Sequence, residues 1–316
     1  MKQVLINFDF PVKFVDRLRE KFPELRFVHT TEAKEVVSSL PDTQILITFF
    51  QCDSDIVNAA PSLEWIQVIS AGVDYLPLDA IFERGILLTN GRGIHSIHMS
   101  EYAIAVLVML ARSFHFILHN RFKRRWDSSP HQGEIYGATL GIVGLGEIGG
   151  EIAKKASVFG MRVLGVKRTP KALKYADEVY GPEDIGDVFE KSDYVINLLP
   201  STHATENLID RKLFNRMHPG ACFINMGRGR TVNEDDLAEA LHSGTIRAAV
   251  SDVFDTEPLP EDSPLWDLEN MIITPHVCGK SPNYMNRALE IIEHNLGVYT
   301  GGKGEMINVV HPDTRY

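Results

Sequence analysis

Cysteine is scarce in this chain. Cys52, Cys222 and Cys278 are the only three in 316 residues, and no two form a C-x-x-C pair. A disulfide framework is therefore excluded, and the usage fits a reducing compartment. Long apolar runs are also missing. The longest, Ala103 to Ala111, is about half of what a bilayer-spanning helix needs. Basic charge is in deficit: 32 Lys and Arg against 42 Asp and Glu leave a formal charge of −10, so no overall positive field draws the chain to nucleic acid or anionic lipid. The one basic run, Arg121-Phe122-Lys123-Arg124-Arg125-Trp126, reads as a solvated or subunit-facing surface. Low-complexity segments and internal repeats are absent. The N-terminus, Met1 to Ile6, enters a strand directly without a signal-peptide pattern. These absences predict a cytoplasmic globular protein with no membrane and no nucleic-acid partner.

What is present is a rhythm of short apolar runs and amphipathic segments, in a chain long enough for two cores. Val4–Phe8, Leu25–Val28, Ile45–Phe50, Trp65–Ile69 and Ile86–Thr89 read as strands. Between them Val12–Lys21, Glu32–Leu40, Asp53–Ala60 and Leu78–Arg84 read as helices. Such alternation predicts a parallel sheet covered on both faces. The turn Ser70-Ala71-Gly72-Val73-Asp74 follows the fourth strand directly, where α/β sheets bind ligands. One long helix is predicted from about His98 to His119, apolar over most of its length and so buried between domains or subunits. A second series begins at Leu140, with later strands at Tyr194–Leu199, Cys222–Met226, Ala248–Phe254 and Met271–Thr274. A helix from about Asn283 to Tyr299 and a short tail close the chain.

The second series opens on the most informative stretch. Leu140 to Val143 lead into Gly144-Leu145-Gly146-Glu147-Ile148-Gly149, a helix-prone segment from Glu151 to Phe159 follows, and another strand is predicted over Arg162 to Val166. Strand, glycine turn and helix form the context of a dinucleotide fingerprint. The first glycine allows the tight turn, the second lets a pyrophosphate approach the backbone, and the third lets helix and strand pack closely. The helix N-terminus then offers its N–H groups to phosphate.

Three later segments each follow an apolar strand: Asn225-Met226-Gly227-Arg228-Gly229-Arg230, Asp252-Val253-Phe254-Asp255-Thr256-Glu257-Pro258 and Thr274-Pro275-His276-Val277-Cys278-Gly279. Arginine holds carboxylates bidentately, and a histidine oriented by a carboxylate is a general acid or base. Spacing alone leaves two readings open. Either Arg228, Glu257 and His276 converge on one crevice, or they are a surface cation and a satisfied loop histidine.

In their order and spacing, these motifs resemble the D-isomer-specific 2-hydroxyacid dehydrogenases. The resemblance runs from Ser70-Ala71-Gly72-Val73-Asp74 to Ile307-Asn308-Val309-Val310. It implies a flavodoxin-like substrate domain (1–98 with 284–316) and a Rossmann cofactor domain (99–283), both doubly wound, with a hinge between them that closes on ligand. It also implies Arg228 as the substrate-binding arginine, His276 as the proton donor and Glu257 as its carboxylate partner. The backbone of Ala71, Gly72 and Val73 would receive the substrate carboxylate. Asp252 would hold the nicotinamide end of the cofactor. Further cofactor contacts would come from the fingerprint residues Gly144 to Gly149, from Leu199, Pro200 and Thr205, and from Met226, Gly227 and Gly279. The formate-oxidising branch of the family has a glutamine where this chain has Glu257, which argues against that branch. No metal is implied, and a homodimer is.

One segment departs from the NAD pattern, in which an acidic residue ends the second strand and binds the ribose 2′-OH. Here Val163-Leu164-Gly165-Val166 is followed by Lys167-Arg168-Thr169, with no acid before Asp177. Two cations and a hydroxyl attract a 2′-phosphate, so a preference for NADP(H) over NAD(H) is expected. Other polar groups read as ordinary structure: His95-x-x-His98-x-x-Glu101 as a hinge, His115 and His119 as helix residues, Cys278 as packing, Arg92 and Arg230 as surface. The expected activity is NADPH-dependent reduction of a short 2-keto acid, of the glyoxylate or hydroxypyruvate type, to its D-2-hydroxy acid. The alternatives are a nucleotide-sensing corepressor on the same scaffold and a dehydrogenase of a larger or phosphorylated hydroxy acid.

Overall fold

The computed structural model describes residues 1–312, which divide into two compact units. The first comprises Met1–His95 together with the segment that starts at Ser281, and the second is Ser96–Lys280.

In the first unit, β1 (Lys2–Ile6), α1 (Val12–Lys21), β2 (Leu25–His29), α2 (Ala33–Ser39), β3 (Thr43–Thr48), α3 (Ser54–Ala59), β4 (Trp65–Val68), α4 (Leu78–Glu83) and β5 (Leu87–Thr89) alternate along the chain. All strands are parallel, in the order β2-β1-β3-β4-β5. Side chains of a strand alternate between faces, and both faces are covered. Val4, Ile6, Ile45, Ile47 and Trp65 belong to one apolar cluster, whereas Leu5, Leu46, Ile66 and Leu88 belong to another. This is the flavodoxin-like order, whose switch point lies between its first and third strands.

The second unit begins with α5 (Ser96–Ala111) and α6 (Phe114–Phe122). Its βα series is β6 (Thr139–Val143), α7 (Glu147–Val158), β7 (Arg162–Val166), β8 (Glu178–Tyr180), α8 (Ile185–Lys191), β9 (Tyr194–Asn197), α9 (Arg211–Phe214), β10 (Cys222–Asn225), α10 (Glu234–His242), β11 (Ala248–Ser251) and β12 (Met271–Ile273). The sheet runs β12-β11-β10-β9-β6-β7-β8, parallel throughout, and its strand order reverses at β6. That is the doubly wound order of a dinucleotide-binding sheet.

Three differences from the sequence-based expectation have local causes. The single helix from His98 to His119 is two, α5 and α6, bent by 70°. Ser113 sits at φ 49° and donates its hydroxyl to the His131 carbonyl at 2.6 Å, so a side-chain bond replaces helix continuation. Of the two, α5 buries Met99, Ala103, Val106, Leu107 and Leu110, whereas α6 buries none of its residues. Second, α7 starts at Glu147 rather than Glu151, so the fingerprint itself forms the first helical turn. Third, β8 is an additional edge strand. Its three residues, Glu-Val-Tyr, are all partly exposed and present no apolar run to read.

The chain returns to the first unit through α11 (Tyr284–Tyr299). Ala288, Leu289, Ile292 and Leu296 pack into the cluster that holds Phe14 and Leu18. Glu293 is buried there, and its carboxylate accepts from Arg17 Nε at 2.5 Å and Lys21 Nζ at 2.8 Å. Burial pushes this carboxyl up, but bonds from Arg17 and Lys21 outweigh the push and hold it below its ordinary value. Val310 donates to the Leu88 carbonyl, which adds the closing segment to the edge of β5. Cys52, Cys222 and Cys278 are free thiols and buried. No single helix among the described residues is long and apolar enough to cross a membrane.

Candidate active site

The glycine turn between β6 and α7 shows why each glycine is there. Gly144 has φ 103°, a left-handed region that favours glycine. A Cβ on Gly149 would lie 2.7 Å from the Gly144 carbonyl oxygen, whereas one on Gly146 would meet nothing within 4 Å. The third glycine thus permits close packing, and the second leaves open space over the turn. Gly150 makes the first i→i−4 bond, to Gly146, which leaves the N–H groups of Glu147, Ile148 and Gly149 without intrahelical acceptors at the positive end of the helix. Leu145 is buried against Gly165, where an added Cβ would lie 2.5 Å from its side chain. This turn fits a pyrophosphate.

Lys167, half-buried, and Arg168 and Thr169, both exposed, leave the C-terminal end of β7. Lys167 N–H donates to the Tyr180 carbonyl, and among the described residues neither cation has an acidic partner. A third loop follows β9. Leu199 and Pro200 begin it, and Thr205 closes it by donating its hydroxyl to the Pro200 carbonyl at 2.7 Å.

Beneath the loops of β9 and β10 lies a buried polar network that the sequence reading did not single out. Asn197 Nδ2 donates to Asn225 Oδ1 at 2.9 Å and to Thr231 Oγ1 at 2.7 Å. All three residues are buried. The other groups of the network hold the loops: Asn197 Oδ1 accepts from Leu199 N–H, Asn225 Oδ1 from Gly227 N–H, and Thr231 donates to the Arg228 carbonyl at 2.6 Å. Satisfied buried networks fix one backbone geometry. Two polar asparagines ending adjacent apolar strands were the available signal. Met226 is buried, and a Cβ on Gly227 would come within 2.7 Å of the Leu199 carbonyl oxygen. Arg228 is partly exposed, and its Nη1 donates to the Gly227 carbonyl at 3.0 Å. Gly229 has no room for a side chain, since a Cβ would lie 1.9 Å from the Phe254 carbonyl carbon. The segment carrying Arg228 therefore abuts the one leading to Glu257.

Asp252 follows β11 and is fully buried. Its carboxylate accepts from Thr274 Oγ1 at 2.5 Å, from Val277 N–H at 3.0 Å and from Cys278 N–H at 2.9 Å. Tyr102 of α5 in turn bonds Thr274 Oγ1 at 2.7 Å, and burial pushes its phenol up to about 12. Asp252 thus clamps the loop that carries His276. His276 has φ 51°, a strained conformation for a non-glycine residue of the kind that collects at functional sites. Its Nδ1 lies 2.7 Å from Glu257 Oε2, while Glu257 Oε1 accepts from Phe254 N–H at 2.9 Å. With Nδ1 engaged and the ring about half exposed, Nε2 is the nitrogen left to face a reactant. Cys278, two residues after His276, is buried, and burial pushes its thiol up, away from thiolate chemistry. The Gly279 carbonyl lies 2.9 Å from His98 Nε2. Arg228, Asp252, Glu257 and His276 all leave the C-terminal ends of the adjacent strands β10, β11 and β12.

Ala71, Gly72 and Val73 lie in the first unit, on the loop after β4. Ser70 donates to the Gly72 carbonyl at 2.9 Å and Asn90 to the Ala71 carbonyl at 2.8 Å, which orients the peptides between them. His115 lies apart from these loops, with both ring nitrogens lacking partners among the described residues, and burial pulls it down to about 4.

Comparison with known proteins decides the family. Residues 104–278 match the model of the D-isomer specific 2-hydroxyacid dehydrogenase NAD-binding domain. The chain belongs to this family of oxidoreductases. A glyoxylate reductase of Korarchaeum cryptofilum is 30% identical over 95% of this chain and 93% of its own length. A D-3-phosphoglycerate dehydrogenase of Methanocaldococcus jannaschii is 31% identical over 82% of this chain, which spans about half the length of that relative. Among solved dehydrogenase structures, a family member from Aeromonas salmonicida superposes with a TM-score of 0.87 at 33% identity, covering 99% of both chains. An NADPH-dependent glyoxylate/hydroxypyruvate reductase from Sinorhizobium meliloti, in complex with NADP and sulfate, gives 0.85 at 26% identity over 100% of both.

Proposed function

We propose that this dehydrogenase reduces short 2-keto acids of the glyoxylate and hydroxypyruvate type to D-2-hydroxy acids, with NADPH preferred over NADH. The observation that carries this reading is the His276–Glu257 pair, at 2.7 Å on a loop clamped by buried Asp252. Bound reduced nicotinamide supplies the hydride. Protonated His276 gives its Nε2 proton to the ketone oxygen as charge builds there, and Glu257 compensates the imidazolium at Nδ1. Arg228 stabilises the same developing charge and pairs with the neighbouring carboxylate. The N–H groups around Ala71, Gly72 and Val73 are assigned to substrate binding, the first unit acting as the substrate domain and the second as the dinucleotide domain. The fingerprint residues from Gly144 to Gly149 hold the pyrophosphate, and the loop residues Leu199, Pro200, Thr205, Met226, Gly227 and Gly279 line the remainder of the cofactor. Asp252 takes part in seating the nicotinamide end while it holds the acid loop. Relatives whose names carry glyoxylate, among them the two above, support the substrate class.

The cofactor preference rests on Lys167, Arg168 and Thr169. Neutral replacement of both cations is expected to raise KM for NADPH about tenfold or more and to change KM for NADH little. Steady-state kinetics with both cofactors checks this, and an equal change in both contradicts it.

The reading includes a homodimer. Phe114, Ile117, Leu118 and Phe122 of α6 are exposed, as is Trp126 beyond it, and an apolar patch of this kind marks an interaction surface. Sedimentation is expected to give twice the 35.5 kDa chain mass for the wild type. The double substitution Leu118→Glu and Phe122→Glu is expected to give the single mass. A monomeric wild type contradicts the assembly.

A further inference from the structure

The carboxylate of Glu257 has a neighbour on the same stretch of backbone. Glu257 Oε1 accepts the N–H of Phe254 at 2.9 Å, and the next N–H in the chain, that of Asp255, goes to Glu234 Oε1 at 2.7 Å. Glu234 is the first residue of α10, five residues after the Arg228–Gly229 step. The segment that presents Arg228 thus reaches across and ties down the segment that presents Glu257, at the point where Gly229 allows the two backbones to meet. The charges facing Glu234 are mostly of its own sign: Asp235 on α10, and Asp255 and Glu257 on the facing loop. The nearby cations are engaged elsewhere, Arg230 by Asp255 at 3.2 Å and Arg211 of α9 by Asp236 at 3.1 Å.

We propose that Glu234 is a positioning residue for the His276–Glu257 pair. It holds the Glu257 loop through the Asp255 N–H and adds a second negative charge that favours the protonated imidazole. The proposal rests on the reading of His276 as the acid. Burial pushes the Glu234 carboxyl above its ordinary value, the Asp255 N–H bond opposes this, and the charges of Asp255, Asp235 and Glu257 reinforce it. Burial is the largest of these effects and the charge of Glu257 the smallest.

Two substitutions separate the parts. Glu234→Gln keeps an oxygen to accept the Asp255 N–H and removes only the charge, whereas Glu234→Ala removes both. The first measurement is the titration of the His276 ring by NMR in the full chain, with its signal assigned by loss in His276→Gln; it needs no substrate. The midpoint is expected to fall by about half a pH unit in Glu234→Gln, with thermal stability unchanged. The second measurement is the pH profile of kcat/KM for keto acid reduction, whose alkaline limb is expected to move down in pH by the same amount. Plateau kcat is expected to stay within about twofold in Glu234→Gln and to drop about tenfold in Glu234→Ala, where the loop loses its tie. An unmoved His276 midpoint in Glu234→Gln overturns the proposal, even where wild type reduces keto acids through His276. A shifted midpoint in a protein that reduces no keto acid upholds the charge coupling and overturns the functional reading instead.

Discussion

Replacing His276 with alanine is expected to lower kcat for keto acid reduction about a thousandfold while leaving the dissociation constant for NADPH within about twofold. The size follows from what the side chain does. Hydride arrival at a ketone carbon leaves an alkoxide, and a donor already aimed at the oxygen removes that charge as it forms. The ring is held from two sides. Its backbone sits at φ 51°, and the N–H groups of residues 277 and 278 anchor the loop on the Asp252 carboxylate. Its Nδ1 is fixed by Glu257, which is itself anchored to Phe254 N–H. Removal of the imidazole leaves this scaffold and the glycine turn at α7 untouched, so cofactor binding should survive. Stopped-flow turnover and fluorescence titration of NADPH check the two halves separately. A loss of less than tenfold in kcat would mean that water or another side chain supplies the proton.

Arg228→Ala is expected to reduce kcat/KM by about a thousandfold, because in the proposed reaction one side chain both holds the carboxylate and stabilises the oxyanion. Arg228→Lys should recover only a minor part, since a point ammonium cannot form two parallel bonds. The backbone around Arg228 is set independently of its side chain: Thr231 holds its carbonyl from the buried Asn197–Asn225 network, and Gly229 packs against Phe254. Both variants should therefore fold with unchanged melting temperature. Kinetics on substrates of different length check the assignment. A lysine variant as active as wild type would remove the bidentate role.

The alternation of apolar runs made both sheets legible, because strands buried on two faces carry Val, Ile and Leu in succession, as in Val4-Leu5-Ile6 of the first and Val195-Ile196 of the second. The glycine fingerprint was legible for a different reason: glycine is the residue that fits φ 103° at Gly144 and the 2.7 Å approach at Gly149. Less local features escaped. The break at Ser113 depends on a bond to His131, eighteen residues away, and the Ser113 residue type alone does not announce a left-handed turn. The β8 strand carries no periodic signal. Asn197, Asn225 and Thr231 form one network only when β9 and β10 are side by side. Glu234 could not be linked to Glu257 before the backbone of Phe254 and Asp255 was seen between them. The Arg228, Glu257 and His276 motifs were readable as residue types at strand ends, while the side-chain bonds that orient them are tertiary.

Keto acid reduction is measured most simply as the initial rate of reduced-cofactor loss with glyoxylate and hydroxypyruvate, using NADPH and NADH in parallel at equal concentration. Rapid consumption of NADPH, slower consumption of NADH and formation of the D-2-hydroxy acid are the predicted result. Tight NADPH binding without turnover of any 2-keto acid would contradict it.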